Sequence, residues 1–144
     1  RQGETGGPSR KGLRMAHAIR IHANGGPEVL KWEAVEVGEP GAGEVRLRQT
    51  AIGLNFIDVY HRSGLYKLTG FPSIIGMEGA GVVEAVGPEV TGFAPGDEVY
   101  GLTGGVGDLQ GSLAEFVARE AELLRALPGP YASTSATRRP ADCR

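Results

Sequence analysis

A chain of 144 residues has the length of one domain and is too short for two complete hydrophobic cores. Its 15 Lys and Arg against 17 Asp and Glu leave a formal net charge of −2, which gives no whole-chain electrostatic drive toward nucleic acid or an anionic membrane. The single cysteine, Cys143, excludes an internal disulfide and a multi-cysteine metal loop, and no apolar run reaches the roughly 18 residues of a membrane helix, so a cytoplasmic chain with neither nucleic-acid nor membrane partners is expected.

Residues 1–14 hold Arg1, Arg10, Lys11 and Arg14 against Glu4, with Leu13 as the one aliphatic side chain. So little apolar surface cannot offset the entropy of ordering, and a disordered leader is expected. Ala16 to Ile21 alternates as a first strand, and Asn24-Gly25-Gly26-Pro27 is a turn. Leu30 to Val37 puts Leu30, Trp32, Ala34 and Glu36 on one face and Lys31, Glu33, Val35 and Val37 on the other. Neither face is purely apolar, which predicts an edge strand. After a break at Glu39 to Gly43, Val45, Leu47 and Ala51 oppose Arg46, Arg48 and Thr50 in a half-buried strand over Val45 to Ile52.

Asn55 to Arg62 changes to helical spacing, with Phe56, Val59 and Tyr60 at i, i+3 and i+4. Strands are predicted again over Ala80 to Val86, Glu98 to Leu102 and Leu113 to Ala118, divided by turns at Val86-Gly87-Pro88 and Pro95-Gly96-Asp97. Past Leu124 the periodicity ends among Pro128-Gly129-Pro130 and Arg138-Arg139-Pro140, and residues 125–144 are expected to be disordered. Twenty-four glycines and many short strands give a fold class of mainly β with short helices, a small and partly open barrel over residues 15–124.

Four stretches now belong together: Ala51-Ile52-Gly53-Leu54-Asn55-Phe56-Ile57-Asp58, Arg62-Ser63-Gly64-Leu65-Tyr66, Ile75-Gly76-Met77-Glu78-Gly79-Ala80-Gly81-Val82-Val83, and Phe93 with Pro95-Gly96-Asp97-Glu98-Val99. In this order and spacing, and with the earlier Gly25-Gly26-Pro27-Glu28-Val29-Leu30, the chain resembles the medium-chain dehydrogenase/reductase superfamily. The similarity is greatest to the zeta-crystallin-like quinone oxidoreductases, over about Met15 to Leu124. The resemblance implies a GroES-like catalytic domain. Relatives continue past the equivalent of Leu124 into a Rossmann domain that residues 125–144 do not resemble.

Zinc-dependent relatives place a Cys where this chain has Asn55 and a Gly-His-Glu where it has Gly76-Met77-Glu78. An amide and a thioether are poor substitutes for thiolate and imidazole, and His17, His22 and His61 stand at no ligand spacing, so no metal is expected. Reduction would then proceed by hydride transfer to an electron-poor quinone or enone, with the protein orienting two rings and offering hydrogen-bond donors to a developing oxyanion. The resemblance implies that Asn55, Tyr60 and Tyr66 are both the catalytic and the cofactor-binding residues, around the nicotinamide half of NADPH. Read alone, Tyr60 is an ordinary helix tyrosine, Arg62 a solvated helix-end cation, and Asp58 and Glu78 structural hydrogen-bonding acids. Gly105-Val106-Gly107 followed by Gly111 imitates a dinucleotide fingerprint, but the third glycine is one residue late and no second βαβ unit follows, so phosphate binding there is rejected.

Without the contacts that hold the rest of the cofactor, remote binding energy cannot serve the hydride step, and the chain by itself is expected to turn over little. Two other readings stay open: a non-catalytic GroES-like interaction module, forming a homo-oligomer or pairing with full-length subunits, and an unstable truncation product.

Overall fold

The computed structural model describes residues 14–102 and 111–128. They form two antiparallel sheets. Strands β1 (Arg14–Ile21), β2 (Lys31–Val37) and β4 (Ser73–Ile74) make one, in the order β2-β1-β4. Strands β3 (Glu44–Gly53), β5 (Glu78–Val86), β6 (Glu98–Leu102), β7 (Phe116–Glu120) and β8 (Leu124–Ala126) make the other, in the order β7-β3-β5-β6-β8. The sheets meet where Ala18 bridges Ala114, with the Ile19 amide donating to Leu113 at 2.8 Å and the Glu115 amide to His17 at 2.9 Å, and they do not close into a full barrel. One α-helix, α1 (Phe56–Ser63), follows β3.

Between the sheets lies a cluster of Ala18, Val45, Leu47, Val83, Val99, Ala114 and Leu124, with Val35, Ile74, Val90 and Phe93 packed against it. The expected strands form, but the last, expected over Leu113 to Ala118, lies at Phe116–Glu120, because Ala114 makes only an isolated bridge to Ala18. Strand β2 is an edge, with Trp32 58% exposed and stacked on His17 at 5.2 Å.

Several expectations need correction. Arg14, expected in the disordered leader, instead opens β1, where its guanidinium lies 4.2 Å over the Phe116 ring and pairs with Glu84. Arg125 and Ala126, expected in the disordered tail, instead pair with Tyr100 and Val99, so β8 carries the fold past Leu124. In β3 the alternation fails twice. Arg46 is buried rather than solvated, since it donates to Glu84 Oε2 at 2.8 Å and to the Gly38 carbonyl at 3.1 Å. Register then slips past Thr50, so that Gln49 faces Gly81 and Ala51 faces Ala80; this extra residue turns Ala51 outward to solvent.

The helix departs furthest from its periodicity. Phe56 is 75% exposed and Val59 40%, while Asp58 and His61 are buried. Its apolar stripe faces outward because hydrogen bonds, not apolar contacts, hold both ends. At the C-terminal end the Asn24 Nδ2 donates to the carbonyls of His61 and Arg62 at 3.0 and 3.2 Å, and the Gly25 amide donates to Arg62 at 3.0 Å. Arg62, expected in solvent, returns a bond from Nη1 to the Gly25 carbonyl at 2.9 Å. Phe56→Ala should therefore change unfolding free energy by no more than about 0.5 kcal/mol in a urea titration; a loss above about 1.5 kcal/mol would mean that the stripe is packed.

Candidate functional site

Helix α1 starts at Asn55, the N-cap, whose extended backbone leaves β3 two residues earlier. The Asp58 carboxylate accepts the Asn55 backbone N–H at 2.8 Å, and the Asp58 amide donates to the Asn55 carbonyl at 3.0 Å. The reciprocal arm, from the Asn55 side chain toward the Asp58 amide, completes a capping box without full hydrogen-bond geometry. Asp58 is thus a structural acid, as expected, with Oδ1 buried and unpaired among the described residues.

The helix stops at Gly64, whose φ of 87° suits a residue without Cβ. The chain then doubles back, and the Tyr66 amide donates to the Tyr60 carbonyl at 3.1 Å. This return sets the Tyr60 and Tyr66 rings edge to face at 5.4 Å, with the Phe56 ring at 5.8 Å from Tyr60 and the buried His61 ring at 6.2 Å from Tyr66. Tyr66 is 43% exposed and Tyr60 half-buried, so the pair presents ring surface outward.

Asn55 belongs to the same helix but is engaged elsewhere: its Nδ2 donates to Glu78 Oε1 at 3.1 Å across the start of β5. Glu78 and its register partner Gly53 border a shallow, mainly apolar cleft of about 810 Å³ with Ile52, Ala80, Tyr100 and Leu123. Of the three residues singled out in the sequence, then, the fold puts Tyr60 and Tyr66 in direct contact. Asn55 sits at the other end of the short helix, joined to the cleft through Glu78. Glu78 and Gly53 carry no site signal in the sequence, because the spacing between the end of one strand and the start of another does not show that they are paired.

Among the described residues, no three His, Cys, Asp or Glu side chains gather as a metal-holding group. His22 is engaged with Glu33 at 2.6 Å and His17 lies 3.5 Å from Glu115. Likewise, no helix among them is long and apolar enough to cross a membrane. Gly105 to Gly107 of the imitation fingerprint lie outside the described residues. Gly111 serves chain packing, since a Cβ there would stand 2.2 Å from the Ile75 carbonyl.

Residues 41–129 match the alcohol dehydrogenase GroES-like domain. A quinone oxidoreductase of Pseudomonas aeruginosa is 58% identical over 93 residues, 65% of this chain and 29% of that protein. A 2-haloacrylate reductase of a Burkholderia species is 53% identical over 88 residues, 59% of this chain and 26% of that one. The Escherichia coli quinone oxidoreductase, solved in complex with NADPH, superposes with a TM-score of 0.71 and 34% identity, over 85% of this chain and 37% of that chain. The chain therefore spans about a third of the length of the relatives it matches. Two sheets that do not close, a capped helix after the third strand and the match over residues 41–129 lead to one assignment: the chain belongs to the alcohol dehydrogenase GroES-like domain family of the medium-chain dehydrogenase/reductase superfamily.

Proposed function

We propose that this chain carries the catalytic-domain half of an NADPH-dependent quinone oxidoreductase, with Asn55, Tyr60 and Tyr66 around the nicotinamide and no metal in the reaction. The observation that carries it is the outward-facing Tyr60–Tyr66 pair on the helix that Asn55 caps. An amide, two phenols and exposed ring surface suit the nicotinamide half of the cofactor, and the neighbouring apolar cleft suits a flat, electron-poor acceptor. The bound cofactor would supply the hydride. The chain's own residues orient the two rings: Tyr60 and Tyr66 offer ring faces and hydroxyls to the nicotinamide, the Asn55 amide beside the cleft donates toward the oxyanion formed when the acceptor carbonyl is reduced, and solvent supplies the proton. Quinones are the favoured acceptors, and the haloacrylate reductase among the relatives supports electron-poor alkenes as a second class. Residues 14–126 form the catalytic unit in this reading.

Titration with NADPH, followed by tryptophan and tyrosine fluorescence, tests it. Saturable quenching with a midpoint below about 1 mM is expected, and Tyr60→Ala should raise that midpoint about tenfold. A flat trace would instead favour a non-catalytic module. That second reading draws on Leu54, Phe56 and Leu65, which are 78%, 75% and 65% exposed around the same helix, as an interaction surface.

A further inference from the structure

Resting on that reading of the site, we propose that Glu78 is a positioning residue that sets the direction of the Asn55 side-chain amide, and that Gly53 is the seat that lets it do so. Asn55 has two chemically different ends, an Oδ1 acceptor and an Nδ2 donor, and rotation by half a turn exchanges them. A carboxylate only accepts. With Glu78 Oε1 at 3.1 Å, the nitrogen faces Glu78 and the oxygen faces away, toward the Asp58 backbone amide of the capping box. One Nδ2 proton is used in this bond. The other remains for a ring bound beside the helix.

The route of the Glu78 side chain supports a dedicated arrangement. Glu78 opens β5 directly opposite Gly53, the last residue of β3, and Asn55 lies two residues beyond Gly53. A side chain at position 53 would occupy the space the carboxylate crosses: a Cβ there would stand 2.1 Å from Oε1 and 2.5 Å from Cγ of Glu78. The clash is with a flexible side chain rather than with backbone, so an alanine would push the carboxylate aside and leave the strands paired. The backbone of Asn55 is meanwhile held by Asp58. The work is therefore divided: the Asp58 carboxylate fixes where the residue is, and Glu78, acting with the Asp58 amide that the Asn55 oxygen approaches, fixes which way the side-chain amide points.

The test uses the whole 144-residue chain, labelled with ¹⁵N, and the side-chain NH₂ signals of Asn55, assigned by their loss in Asn55→Asp. In the wild type one Nδ2 proton should be displaced downfield of its partner by the charge-assisted bond. Glu78→Ala should abolish that separation. Gly53→Ala should abolish it too, with Glu78 still present and the backbone amide pattern of β3 and β5 retained. Glu78→Gln, which keeps an acceptor, should restore part of it. The NADPH midpoint should rise about fivefold in Glu78→Ala and in Gly53→Ala and recover toward wild type in Glu78→Gln. Asn55 signals that stay the same in both Glu78→Ala and Gly53→Ala would overturn the positioning role. A wild-type chain that does not respond to NADPH would refute the cofactor reading instead, while the NMR signals still decide whether Glu78 directs the amide.

Discussion

Gly81→Ala is expected to destabilise the fold by about 3 kcal/mol, the upper part of the range for overpacking, read as a lower urea midpoint at unchanged slope. Gly81 lies in the middle of β5, between β3 and β6, and pairs with Gln49 beside the extra residue Thr50. A Cβ at this position would stand 2.3 Å from the Arg48 carbonyl oxygen and 2.9 Å from the Gln49 Cα. Both belong to the backbone of the neighbouring strand, so nothing flexible can swing aside and the ladder itself must move. Gly53→Ala is the internal comparison, because there the obstacle is a side chain. If Gly81→Ala lost under about 1 kcal/mol, the close approach of β3 and β5 would be wrong.

Leu124→Ala should also cost about 3 kcal/mol and lower the melting temperature on the order of 10 °C. Leu124 is 3% exposed and sits in the core cluster with Val99, where β8 pairs Leu124 with Gly101. Deleting most of its side chain leaves a cavity between sheet and core that the short β8 strand cannot close. The measurement also decides where the domain ends. A loss under about 1 kcal/mol would mean that β8 is peripheral and that the unit stops before it, whereas the expected loss makes Leu124, the buried residue of β8, part of the core.

Much of the fold was legible because strand alternation and turn residues are local. Val45 and Leu47 announced the buried face of β3, Leu30 to Val37 announced an edge by having no clean apolar face, and the Pro95-Gly96-Asp97 turn preceded β6. The candidate site was legible for a different reason: Asn55, Tyr60 and Tyr66 lie within one short segment, so the family pattern contained them all. The misreadings share a cause as well. Arg46 is buried because Gly38, Glu39 and Glu84, from two other segments, surround its guanidinium. Helix α1 turns its apolar stripe outward because Asn24 and Gly25, about 37 residues away along the chain, hold its C-terminal carbonyls. No periodicity within Asn55 to Arg62 could report those partners.

By itself, the sequence determined the fold class, the family and the segment that bears the amide and the two phenols, since each depends on residue types and spacings within short stretches. Only the tertiary structure decided that Ala51 faces solvent, that β8 completes the core, and that Glu78 reaches Asn55 across a bare Gly53. Those outcomes depend on which strands are neighbours and in what register, and register is a property of two segments at once.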